Sequence, residues 1–119
     1  MNIEEYREHC ISKKGVTESF PFGKLPDVLV FKVLGKMFTV TDISSFKAIS
    51  VKCNPDRVDI LRETYTAVEP PSYMSKKHWN KIIMDYSIPD ILIKQWIDDS
   101  YNLVVKKLPV RERNKLKES

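Results

Sequence analysis

Glycine, cysteine and histidine are scarce in this 119-residue sequence, with three, two and two copies respectively. Gly15, Gly23 and Gly35 stand apart from one another, which excludes a glycine-rich loop wrapped around a phosphate. His9 and Cys10 are adjacent and point different ways on a helix, while Cys53 and His78 stand alone. No Cys/His pair therefore has the short spacing of a structural zinc site. The two cysteines fall on different expected elements and read as reduced thiols of a cytosolic protein, with one disulfide between them left open. No apolar run approaches the roughly 18–20 residues of a membrane-spanning helix. The opening Met-Asn-Ile-Glu-Glu-Tyr is polar and acidic, unlike a secretory signal. These absences lead to an expected cytoplasmic protein with no cofactor, no metal and no membrane contact.

Catalysis has little to work with. A cysteine nucleophile needs a base within reach and an accessible, electropositive setting. Lys52 and a following helix start offer part of that to Cys53, but strand alternation puts its thiol on the core face. It reads as a structural residue, and the chain reads as a non-enzyme.

What is present is an ordinary globular composition, 42% hydrophobic and 30% charged, sufficient for one core without disulfides or metal. The net charge of +4 is unevenly placed. Lys106, Lys107, Arg111, Arg113, Lys115 and Lys117 face only Glu112 and Glu118 in the final stretch, so the preceding 105 residues are electrically neutral. A balanced body argues against the broad basic surface of most nucleic-acid binders.

The stretch from Asp27 to Cys53 organises the chain. Leu29, Phe31 and Val33 alternate with Val30 and Lys32; Leu34-Gly35 turns the chain; Lys36 to Thr41 returns with Phe38 and Val40 on one side; Ile49, Val51 and Cys53 then alternate with polar neighbours. Period-2 alternation between turns predicts three antiparallel strands. Before them, Asn2 caps a helix with a Tyr6 and Cys10 stripe that ends near Gly15. Val16 to Phe22 is an extended lead-in whose rings, Phe20 and Phe22, are expected as core plugs at the sheet's edge. Asn54-Pro55-Asp56 starts a helix to about Tyr65, and Glu69-Pro70-Pro71-Ser72 is expected to be irregular. Another strand is expected around Ile82 to Met84, and Ile88-Pro89-Asp90 opens a long helix stopped by Pro109. The predicted architecture is α+β: a twisted antiparallel sheet covered by helices on one face. One domain spans 1–109, and 110–119 is a charged, frayed tail.

Several segments resemble one known family in the right order along nearly the whole chain. They are Gly15-Val16-Thr17-Glu18 with Phe20-Pro21-Phe22-Gly23, Val30-Phe31-Lys32-Val33 with Gly35-Lys36-Met37-Phe38, and Val51-Lys52-Cys53-Asn54-Pro55. Lys76-Lys77-His78-Trp79-Asn80, Ser100-Tyr101 and Lys107-Leu108-Pro109 continue the match, and the sequence resembles the MmcQ/YjbR family. The resemblance implies a CyaY-like, or double-wing, fold and brings the label of DNA-binding protein. A CyaY-like fold directs attention to an acidic ridge on the first helix. Only Glu4, Glu5 and Glu8 are there, interrupted by Arg7, so no iron site is expected.

Lys76, Lys77, His78, Trp79, Asn80 and Lys81 form the candidate DNA-binding site. Lysines neutralise phosphates, an exposed ring stacks on unpaired bases, and Asn or His can reach base edges or phosphate oxygens. The competing structural reading makes Trp79 a core residue and the lysines solvated loop charges. With so few cations, DNA binding would be weak and salt-sensitive, assisted by the basic tail. The alternative function is a protein-interaction or adaptor module, in which Phe20, Phe22, Tyr73 and Trp79 form an apolar patch for a partner.

Overall fold

Leu34 and Gly35 both adopt positive φ, 46° and 82°, the conformation that lets a two-residue turn match the twist of paired strands. They join β2 (Val28–Val33) to β3 (Lys36–Asp42), the centre of the sheet. The computed structural model describes residues 1–118. Its remaining elements are α1 (Ile3–Ile11), β1 (Val16–Ser19), β4 (Ala48–Lys52), α2 (Pro55–Thr64), β5 (Val68–Glu69), β6 (Trp79–Ile83), α3 (Asp90–Lys106) and α4 (Val110–Glu118). The six strands are antiparallel throughout, in the order β1-β2-β3-β4-β6-β5. The fold is α+β, as the alternation of the central stretch predicts.

Register divides the sheet into two chemically different faces. Leu29, Thr41, Ile49, Ile82 and Val68 make one row across five strands, all buried. The next row, Ser19, Val30, Val40, Ser50, Lys81 and Glu69, points the other way. The first face packs under Tyr6 and Cys10 of α1, Leu61 of α2, and Ile93, Trp96, Ile97 and Val104 of α3. Two threonines on it have their hydroxyls satisfied: Thr39 donates to the Ser50 carbonyl and Thr41 to the Ala48 carbonyl, with the Tyr6 hydroxyl 2.8 Å from Thr39.

Strict alternation fails at one place. Phe31 pairs with Thr39 but Lys32 with Met37, so Phe38 is an extra residue in β3. The bulge buries Phe38 against Tyr101 at 5.5 Å while Val40 turns to the opposite face. The expectation that Phe38 and Val40 share a side is therefore corrected. Two further strands join the expected ones, β1 from the extended lead-in at Val16 and β5 from the edge of the Glu69-Pro70-Pro71-Ser72 stretch expected to be irregular. β1 pairs along β2, and β5 adds two residues to β6 just before Pro70.

The helix starts follow their residues closely. Asn2 and Glu5 form a reciprocal capping box, and the Asn54 side chain accepts from the Asp56 N–H ahead of Pro55. The end of the chain is different from the frayed tail expected for 110–119. Val110–Glu118 is a helix, with Ser119 outside the described residues. Its Leu116 is buried beside Gly15, where an added Cβ would lie 2.4 Å from the leucine Cδ2. One apolar side chain in a charged segment is a faint sequence signal, but the glycine leaves it a seat.

Ser100 splices α3 into the sheet. Its hydroxyl donates to the Phe38 carbonyl at 2.5 Å and accepts from the Lys52 N–H at 2.8 Å, where the β3–β4 pairing has ended at Thr39 and Val51. Ser100→Ala removes the partner of both backbone groups in a buried place, at a cost of about 1–3 kcal/mol. Thermal unfolding should show a midpoint lower by roughly 5–15 °C; an unchanged midpoint would show that the hydroxyl contributes nothing.

Candidate functional site

Helix α2 is only ten residues long, and Arg62 in its last turn does more than complement the helix dipole. The guanidinium Nε donates to the Asn80 Oδ1 at 2.7 Å; Nη2 donates to the Lys76 carbonyl at 2.6 Å and the Trp79 carbonyl at 3.0 Å. Asn80 Nδ2 donates in turn to the Val58 carbonyl at 3.4 Å. With 18% of its side chain exposed, Arg62 clamps the connector that precedes β6 onto α2.

The clamp decides where the six candidate residues go. Lys76 and Lys77 are exposed on the connector and His78 is half-buried. Trp79 is 8% exposed and Asn80 is buried, its amide fully engaged by Arg62 and Val58. The Lys81 ammonium lies 3.2 Å from Glu69. Alternation along β6 sends Asn80 to the covered face and Trp79 and Lys81 to the other. The six residues are thus contiguous in sequence but divided among solvent, core and the uncovered face. Trp79 and Asn80 are not exposed beside the lysines, as a base-stacking or base-reading role would need.

The uncovered face carries a groove of about 820 Å³. Val28, Met37 and Val40 supply apolar strand side chains to it; Phe22 and Leu25 come from the loop after β1, and Tyr73 and Met74 from the connector before β6. Trp79 lines it too, so the structure brings together three of the four rings of the aromatic patch. Phe20 is half exposed and lies outside the lining. The expectation that Phe20 and Phe22 plug the core is corrected: Phe20 is 50% and Phe22 44% exposed, and Tyr73, a further ring of the expected patch, is 93% exposed. The Phe-Pro-Phe-Gly loop runs past the end of β1, and neither of its rings joins the core cluster under the helices. Lys81 and Asp42 are the charged side chains of the lining, and Lys81 is already paired.

The cysteines are both free. Burial pushes the Cys10 thiol up to about 12, against the pull of Lys13. Burial also pushes the half-buried Cys53 thiol up, with Arg57 acting the other way, so neither is primed as a thiolate. Among the described residues there is no gathering of three or more His, Cys, Asp or Glu side chains as a metal site, and no helix is long and apolar enough to cross a membrane.

A six-stranded antiparallel sheet with helices on one side and an apolar groove on the other defines a small α+β protein. Residues 11–103 match the YjbR family model, and the chain belongs to that family. It is 32% identical over 117 residues to the Escherichia coli K12 protein YjbR, covering 98% of each, and 31% identical over 99 residues to YbdF of Escherichia coli O157:H7, covering 82% of this chain and 80% of that one. Both relatives are described as uncharacterized. The crystal structure of the Deinococcus radiodurans protein DR2400, with a domain called DUF419, superposes with a TM-score of 0.89 at 32% identity, over 98% of this chain and 88% of that one.

Arg62→Met keeps the apolar stem and removes every donor of the clamp. Unfolding in urea should show a loss of about 1–3 kcal/mol, chiefly the cost of leaving the Asn80 amide oxygen and the Trp79 carbonyl unpaired. Trypsin should cut faster after Lys76 and Lys77 in the folded variant. Equal stability and equal cutting would mean that the connector is held by other contacts.

Proposed function

We propose that this YjbR-family protein is a binding module, and that its uncovered sheet face receives an apolar segment of a partner protein. The groove that holds Phe22, Tyr73 and Trp79 on one continuous surface carries this reading. Large exposed apolar side chains gathered in one place are unusual on a monomer and mark contact surfaces. Aromatic anchors on such surfaces supply most of the binding energy, while charge is depleted at the centre. The groove fits that description, since its one cation is already neutralised by Glu69.

Weak DNA binding through Lys76, Lys77, His78, Trp79, Asn80 and Lys81, assisted by the basic end of the chain, is the second reading. It draws on Lys76 and Lys77, which are exposed and have no ion pair among the described residues, and on the cations of α4. It has little else to draw on: Trp79 is buried and the Asn80 amide is occupied, which leaves Tyr73, exposed on the same connector, as the ring able to stack.

Peptides selected from a displayed library on the wild-type protein, then measured by fluorescence anisotropy, test the first reading. Binding is expected to change little between about 50 and 500 mM salt and to weaken at least about tenfold in Tyr73→Ala and Phe22→Ala. Failure to select any peptide sensitive to those two substitutions overturns it. Retardation of a DNA duplex that falls steeply with salt and vanishes in the Lys76→Glu, Lys77→Glu double variant would establish the second reading instead.

A further inference from the structure

The covered face holds a second concavity, on the opposite side of the sheet from the groove. Helix α2 packs on β5 and β6, whereas α3 packs on β3 and β4, and a cleft of about 300 Å³ remains between them. Val51, Val68 and Ile82 of the sheet make its floor, with Leu61 on one wall and Trp96 and Leu103 on the other. Tyr65 at the end of α2 meets Trp96 edge to face, ring centroids 5.1 Å apart, which ties the two helices together at that end. The polar floor residue, Asn80, is already satisfied by Arg62 and Val58, so the interior of the cleft offers a ligand mainly apolar surface.

Charge enters from both helices. Arg57 in the first turn of α2 and Lys106 at the end of α3 line the cleft, against Asp99 as its one acid. Neither cation has an ion-pair or hydrogen-bond partner for its side chain among the described residues. Asp99 accepts a hydrogen bond from Gln95 instead. Lys52 borders the cleft at the end of β4, but it pairs with Trp79 and its side chain leaves toward the other face. An apolar interior with unpaired cations along it is complementary to a molecule with an apolar body and an anionic end.

The geometry points to a small-molecule site: the α2–α3 cleft takes an amphipathic organic anion, its flat apolar body beside Trp96 and its carboxylate or phosphate monoester between Arg57 and Lys106. The volume limits that body to about one or two rings, at the small end of ligand pockets. The site is independent of the partner groove, and neither needs the other to be correct.

Titration of the ¹⁵N-labelled protein with four probes tests it: indole-3-acetate, its neutral amide indole-3-acetamide, phenyl phosphate, and inorganic phosphate. Saturable shifts are expected at the Trp96 indole N–H and the Arg57 and Leu103 amides with at least one of the two organic anions. The neutral amide and inorganic phosphate should bind at least about tenfold more weakly than that anion. Whichever organic anion leads tells carboxylate from phosphate, and either supports the site. The Arg57→Gln, Lys106→Gln double variant alters two exposed side chains and should weaken the anion about tenfold at an unchanged unfolding midpoint. Leu103→Trp, which fills the cleft, should abolish the shifts. Equal response to acid and amide, shifts centred on Trp79, or no saturation with either organic anion overturns the proposal; so does full binding by both variants.

Discussion

Arg62 is the interaction on which both surfaces of this protein depend. One guanidinium holds a side-chain amide in the core and two carbonyls of the connector, and does so from the last turn of a short helix. A guanidinium withdrawn this far from solvent, with 18% of its side chain exposed, is held by several well-placed acceptors. Asn80, fixed by that contact, belongs to the floor between α2 and α3; the connector, fixed by the same contact, carries Tyr73 and Met74 to the opposite face. A single side chain thus sets the position of one wall on each side of the sheet.

The rest follows from a sheet with only one roof. Helices α1, α2 and α3 gather over the rows led by Leu29 and Phe31, and the alternating rows led by Val28 and Val30 are left with loops at their margins. On the roofed side, the helices sit on different strands, so their separation rather than their contact shapes the space between them. On the bare side, small and apolar strand side chains are joined by Trp79 of β6 and the Lys81–Glu69 pair, and the rings of Phe22 and Tyr73 come from the loops. Polar satisfaction is nearly complete throughout the interior, with Thr39, Thr41, Asn80 and Ser100 each bonded.

The central strands, the turn at Leu34-Gly35 and three helix starts were legible because each is written in local chemistry: alternation, a turn pair, a cap beside a proline or an acid. The long α3 and its stop before Pro109 were legible for the same reason. What escaped depends on distant partners. Alternation cannot reveal that β3 carries an extra residue at Phe38, because the bulge is defined against β2. Leu116 gives no helix signal by itself; Gly15, a hundred residues earlier, provides its place. The lysine-rich run looked like one site because its members adjoin in sequence, but β6 begins at Trp79, and from there successive side chains go to opposite faces. The aromatic patch was anticipated as a set of rings, and the groove that unites three of them became visible only with the sheet's register in place.

The Ser100 hydroxyl has a bearing on how this protein moves. Because it stands in for a missing rung between β3 and β4, the Lys52 amide is shielded by a helix rather than by a neighbouring strand. Its hydrogen exchange is therefore governed by lifting of α3 from the sheet, not by unzipping of the ladder. Breathing of the molecule along that helix and fraying of the sheet are thereby separable at one backbone position.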